Sequence, residues 1–246
     1  MKNGNFDSKN SVNFVYGRLP CLNCLATSKV KRVYLQENFS DKKLLDEIKS
    51  KGLKPVVKSL QELNRMSNNG NHQGIIVEAM PHEYSSLEEI IQSAKRKTQP
   101  LVLLLDEIED PQNFGAILRS ADAFGVDGVI IKNNNQVPLN WTVAKVSTGA
   151  IEYVKVAQVS NLSNAIKVLK ENGYWIYAAD GSAKDSYQKV DYSGSVALIV
   201  GSEGRGISPL VMKNSDFIIK IPMSGHVNSL NVSVSTGILL SRIRNK

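Results

Sequence analysis

Cysteine, tryptophan and histidine are scarce in this chain: two, two and three of 246 residues. So few cysteines exclude a disulfide-built scaffold. Cys21 and Cys24 form a Cys-x-x-Cys pair, yet no second pair exists and His72, His82 and His226 are scattered along the chain. The pair therefore reads as two small helical residues in a core, in preference to a redox motif or half of a zinc site, and no metal site is expected. Long apolar runs are missing as well. None is much longer than Leu101–Leu105, far short of the about 20 residues that a membrane-spanning helix needs. The opening MKNGNFDSKN lacks the apolar segment of a signal peptide, so a cytoplasmic protein is expected. Global disorder is excluded too, because 42% hydrophobic against 22% charged residues can bury a full core in one large domain or two ordinary ones.

What is plentiful is positive charge. Thirty Lys and Arg face 23 Asp and Glu, a formal net charge of +7. The excess is uneven: residues 1–99 hold 16 basic and 10 acidic side chains, whereas residues 100–246 hold 14 and 13. Any single cluster, such as Lys29, Lys31 and Arg32, reads best as a solvated face. The asymmetry points to an N-terminal part that captures a polyanion and a near-neutral remainder that does something more specific.

The pattern divides at the same place. Residues 1–12 are rich in Asn, Ser and Lys and read as a disordered tail. A small α/β domain is expected over 13–80, with a helix over 17–27, strands at Lys31–Gln36, Leu53–Val57 and Gly74–Ala79, and helices at Ser40–Lys49 and from Ser59. Pro55 favours an edge for the second strand. Residues 81–99 form a linker and first helix. Over 100–246 the short apolar runs Leu101–Leu105, Gly128–Ile131, Ile151–Val156, Trp175–Ala179, Val196–Val200 and Phe217–Ile221 alternate with mostly helical patterns, the signature of a parallel sheet covered on both faces. A last helix is expected with Ser229 as N-cap and with Leu230, Val234 and Ile238 on one face.

Ligands of open α/β sheets bind beyond the carboxyl ends of the strands. Three loops there concentrate chemistry. One runs from Asp106 into a helix that starts near Asn113 and carries Arg119 among small and apolar residues, so Arg119 must be paired or face a cleft. The second, Leu198–Pro209, holds glycines as Gly-x-x-Gly-x-Gly with Glu203 inside. That spacing is not a dinucleotide fingerprint, and no Gly-Lys-Ser/Thr is present. Ser208 and Pro209 read as N-cap and first residue of the next helix. The third, Ile221–Ser233, is a dense polar stretch at a helix start.

These segments, DEIEDPQNFGAILRSADAFG, LIVGSEGRGIS and IPMSGHVNSLNVSVSTGILL, resemble the three motifs of the SpoU (TrmH) family of RNA 2′-O-ribose methyltransferases, in order, across residues 100–246. YGRLPCLNCL and HQGIIVEAMPHEYSSLEEII resemble the branch with a leading domain like a ribosomal RNA-binding protein, which includes enzymes that methylate a guanosine ribose of 23S ribosomal RNA. The resemblance implies an α/β methyltransferase domain with a C-terminal trefoil knot, S-adenosyl-L-methionine as cofactor, ribosomal RNA as substrate and a homodimer. It implies that Gly201, Ile221, Leu230 and Met223 line the cofactor site. Arg119 is implied as the group that handles the ribose hydroxyl. Glu203 is expected to pair with Arg119, with Asn113, Ser229 and Asn231 hydrogen-bonding the arginine, ribose or cofactor. Transfer RNA as substrate and an inactive RNA-binding assembly factor are the alternatives.

Overall fold

The structure is a computed structural model that describes residues 13–27 and 29–245. The tail expected over residues 1–12 lies outside them. The chain forms two compact units, one running to His82 and including Leu139–Trp141, the other made of Glu83–Pro138 and the chain from Thr142 onward.

The first unit is built from β1 (Asn13–Tyr16), α1 (Arg18–Thr27), β2 (Val30–Gln36), α2 (Lys42–Ser50), β3 (Val56–Lys58), α3 (Leu60–Met66) and β4 (Ile75–Ala79). Its sheet has the order β1-β4-β2-β3, antiparallel except for the β2/β3 pair. Strand β3 takes the edge, and it begins only after Pro55, which has no N–H to give to a ladder. Helix starts follow local chemistry: Asp41 caps α2 by accepting from Leu44 N at 3.2 Å, and Ser59 and Glu62 form a reciprocal capping box on α3. Cys21 and Cys24 form no disulfide and are buried in α1, packed with Leu25, Val33 and Ile75. Burial pushes the Cys21 thiol up to about 12, with the neighbouring Cys24 adding to it.

The second unit comprises α4 (Leu87–Ala94), β5 (Leu101–Asp106), α5 (Pro111–Ala123), β6 (Gly128–Lys132), α6 (Trp141–Val146, from its second residue on), β7 (Val156–Val159), α7 (Leu162–Glu171), β8 (Tyr174–Ala179), β9 (Asp185–Ser186), β10 (Ser195–Gly201), α8 (Pro209–Lys213), β11 (Phe217–Lys220) and α9 (Val232–Arg244). Its seven strands lie in the order β7-β6-β5-β10-β8-β11-β9, every neighbour parallel. All of β5 is buried, which explains its unbroken apolar run. The strand expected at Ile151–Val156 starts later. Ala150–Glu152 is instead a 3-10 turn behind Gly149, whose φ is 94°, and β7 begins at Val156. A short apolar run has no period by which to tell a buried turn from a strand.

Two expectations for the last helix are corrected. Its N-cap is Asn231, whose Oδ1 accepts from Ser233 N and Val234 N, not Ser229. Its buried face is Val232, Thr236, Leu239, Leu240 and Ile243, while Val234 is 50% exposed. Among the described residues, no helix is long and apolar enough to cross a membrane.

Candidate active site

Sheet order brings the chemistry together. From β5 the chain builds outward through β6 and β7, then returns to lay β10 against the other side of β5, with Gly201 beside Asp106 at the carboxyl ends. The loops after β5 and β10 therefore emerge side by side at a switch point.

Close packing shapes the second loop. A Cβ on Gly201 would sit 2.2 Å from the carbonyl carbon and oxygen of Gly206 and 2.4 Å from Ile207 N, so only glycine fits. The loop folds back through an antiparallel bridge between Ser202 and Gly206, with Gly206 N donating to Ser202 O at 2.9 Å. Glu203 is thereby held out at its tip. Its Oε1 accepts from Asn113 Nδ2 at 3.2 Å, from Asn231 Nδ2 at 2.7 Å and from Val232 N at 3.3 Å, and Asn231 Nδ2 also reaches Asn113 Oδ1 at 2.8 Å. One carboxylate oxygen thus ties together the first turn of α5, the Gly-rich loop and the start of α9.

A second set of ions braces the same loops. Asp106, 1% exposed at the end of β5, accepts from Ser208 N at 2.8 Å and pairs with Lys132 Nζ at 3.2 Å. Lys132 also reaches Glu107 at 2.6 Å, and Arg205 reaches Glu107 at 3.3 Å and Glu109 at 2.6 Å. The hydrogen bond from Lys132, helped by Asn135, holds the Glu107 carboxyl below the usual carboxylate range. Burial alone would lower Lys132, but its bonds to Glu107 and Asp106 outweigh that and raise it. Sequence reasoning missed Asp106, Lys132 and Arg205 as a bracing set. The one available signal was a carboxylate closing a wholly apolar strand, a placement that requires partners.

Behind Glu203 lies a cavity of about 800 Å³. Gly201, Ile221, Met223, Leu230, Ser229 and Glu203 all line it, so the cofactor candidates of the second and third loops share one space. Ser229 is exposed there. Ser202, on the same wall, has a buried Oγ without a hydrogen-bond partner. Backbone approach at Gly201 and Gly206, apolar Ile221 and Leu230, and an unsatisfied hydroxyl suit a ligand with both apolar and polar surface, in a volume typical of small-molecule sites.

Arg119 stands elsewhere. It is exposed on α5 and lines a separate cleft of about 1050 Å³ with Ser233, Val234 and Gly237 of α9. The expected Glu203–Arg119 pair does not form. Six residues separate Arg119 from Asn113, about 9 Å along the axis and about 120° around it, so the two cannot meet one carboxylate. Among the described residues Arg119 has no ion-pair partner, and it does face a cleft, as an arginine on so apolar a helix must.

Comparison with known proteins agrees with this architecture. Residues 100–241 match the SpoU rRNA Methylase family, and residues 14–85 match a domain described as RNA 2′-O ribose methyltransferase substrate binding. The Bacillus subtilis (strain 168) protein YacO, named as a TrmH family tRNA/rRNA methyltransferase, is 37% identical over 238 residues, 95% of each chain. The crystal structure of the AdoMet-bound rRNA methyltransferase from Sinorhizobium meliloti superposes with a TM-score of 0.69 at 22% identity, covering 94% of this chain and 86% of that one. The SpoU methyltransferase AviRb from Streptomyces viridochromogenes superposes with a TM-score of 0.72 at 18% identity, over 99% and 92% of the two chains. At those identities the structural likenesses establish the fold.

Proposed function

This chain belongs to the SpoU rRNA methylase family and is an S-adenosyl-L-methionine-dependent RNA 2′-O-ribose methyltransferase; we propose that its target is a guanosine ribose of 23S ribosomal RNA, as for RlmB. The support for ribosomal RNA is a separate leading unit that carries most of the chain's net positive charge. The proposal includes the C-terminal trefoil knot and a homodimer expected from the family. Half-exposed Val234 beside the α5/α9 cleft supports a self-association face.

The cofactor, when bound, supplies a methyl group activated on a sulfonium. The chain's part is to hold a ribose hydroxyl in line with it, and orientation can supply much of the acceleration. Gly201, Ile221, Leu230 and Met223 are assigned to the cofactor cavity, with Ser202 Oγ as an extra polar contact. Glu203 fixes Asn113 and Asn231, so that the cavity mouth keeps one shape without reorganising during the reaction. Ser229 is left to hydrogen-bond ribose or cofactor.

As the new C–O bond forms, the hydroxyl gives its proton to the adjacent RNA phosphate or to water. A guanidinium with a pKa above about 12 is not a standing base. Arg119, in a cleft apart from the cofactor cavity of its own chain, is therefore assigned, within the proposed homodimer, to orient the hydroxyl and an adjacent RNA phosphate and to stabilise the developing negative charge. The observation that carries this reading is the single carboxylate, Glu203, joining all three motif loops at the rim of the cavity. The test is methyl transfer from labelled S-adenosyl-L-methionine to 23S ribosomal RNA and to transfer RNA, with the modified ribose mapped. Arg119→Ala is expected to abolish transfer while binding the cofactor normally. Full turnover by that variant, or label confined to transfer RNA, would overturn the corresponding assignment.

A further inference from the structure

The first unit holds a cleft of its own, of about 610 Å³, between α1, the end of β2, α3 and the loop before β4. Its lining is chemically unusual. Gln36, Asn64, Asn71 and Gln73 contribute four amide side chains, Arg18 the one cation, and no lining residue carries a carboxylate. Leu60, 52% exposed, adds an apolar flank.

The loop that supplies the floor is held in a costly shape. Asn68, Asn69 and Gln73 all have positive φ, at 51°, 60° and 51°. Asparagine tolerates that region; glutamine seldom adopts it. Several contacts enforce the shape. His72 is 5% exposed, its Nδ1 accepts from Gly74 N at 3.0 Å and its Nε2 lies 3.0 Å from Asn64 Oδ1. Because a backbone N–H donates to Nδ1, the proton sits on Nε2 and is donated to Asn64. Gln73 Oε1 accepts the first N–H of α1, from Arg18, at 2.8 Å, and Gln36 N donates to Gly74 O at 2.8 Å. The Arg18 guanidinium is itself braced, 3.7 Å from Asp41 and over the Phe39 ring at 5.7 Å. Strain maintained by this many contacts is a mark of a preorganised site.

We infer that this cleft binds one unpaired, splayed-out nucleotide of the RNA substrate, its base edge read by Gln36 and Asn71 and its phosphate or base face met by Arg18. The inference rests on the RNA methyltransferase reading and gives the leading unit a specific task beyond electrostatic capture. Amides carry a donor and an acceptor side by side, which is what a base edge requires, and RNA is read in sequence mainly where bases are unstacked. Lysines on the exposed face of α2, such as Lys42 and Lys43, contribute charge without reading bases.

The test is binding of an in vitro 23S ribosomal RNA transcript to the full chain at several salt concentrations. In the Gln36→Ala/Asn71→Ala double variant, affinity is expected to fall about tenfold or more at every salt concentration, with the salt slope unchanged and S-adenosyl-L-methionine binding intact. Lys42→Ala/Lys43→Ala is expected to do the opposite, weakening binding chiefly at low salt and flattening the slope. If the double variant fails to fold, the near-isosteric Asn71→Asp should show the same tenfold loss. Wild-type affinity in the folded variant, while the wild-type chain methylates RNA, would overturn the cleft and leave the enzyme reading standing. Absence of methyl transfer to any RNA would overturn the enzyme reading and this inference with it.

Discussion

Replacing Glu203 tests the central geometric claim, because three motif segments hang on one of its oxygens. In Glu203→Ala the Nδ2 groups of Asn113 and Asn231 and the N–H of Val232 lose their shared acceptor. A hydrogen bond to a charged group contributes about 1.5–3 kcal/mol where it is buried. Glu203 is exposed, and water replaces much of that, so about 0.7 kcal/mol per bond is the appropriate scale, or about 2 kcal/mol for the three together. Such a loss corresponds to about a 30-fold fall in kcat/KM if the rim must be in place for the reaction. Glu203→Gln keeps an acceptor oxygen in the same position and loses only the charge, so a fall of about threefold to fivefold is expected. The assay is transfer of a labelled methyl group to RNA, with cofactor affinity measured separately by calorimetry. The graded order, wild type above Gln above Ala, is the informative outcome. An alanine variant with wild-type kcat/KM would refute the claim that this carboxylate organises the site, and equal losses for Gln and Ala would show that the charge alone matters.

Ser202 and Glu78 give independent checks. Ser202→Ala removes a buried hydroxyl that has no partner in the free protein, so thermal stability is expected to be unchanged or slightly raised, while S-adenosyl-L-methionine affinity falls about fivefold, about 1 kcal/mol; an unchanged affinity would remove Ser202 from the site. Glu78, 6% exposed in β4, accepts from Tyr34 at 2.6 Å and pairs with Lys31 at 2.7 Å. Burial would raise its carboxyl, but the bonds from Lys31 and Tyr34 outweigh that and hold it below the ordinary value. A depressed folded pKa contributes stability that is complete above the unfolded pKa of about 4.3 and is lost as pH falls through the folded value. The gap in unfolding midpoint between wild type and Glu78→Gln should therefore be constant at neutral pH and narrow below about pH 4. A gap that stays the same down to pH 3 would contradict the assignment.

Much of the fold was legible because the signals were local. Ser59 and Ser208 stand where helices begin, and β5 and β10 are short apolar runs, buried on both faces, that could be read almost residue by residue. Signals without a period were not legible. Ile151 is buried in a turn where a strand was expected, and Val234 with Ile238 made an apolar stripe that does not face the core. Two-residue β9 carried no pattern to read.

The candidate site divides in the same way. By itself the sequence determined which residue types stand at the ends of strands: a carboxylate among glycines, an asparagine at each of two helix starts, one arginine on an apolar helix. Spacing along a chain carries no information about rotation between distant segments, so it left the partners open. Only the tertiary structure decided that Glu203 meets Asn113 and Asn231, that Arg119 lies a third of a turn away in another cleft, and that Asp106, Lys132 and Arg205 hold the loops in place. The physical reason is the sheet order: β10 lies in register beside β5, and loops about 90 residues apart in sequence leave the sheet as neighbours.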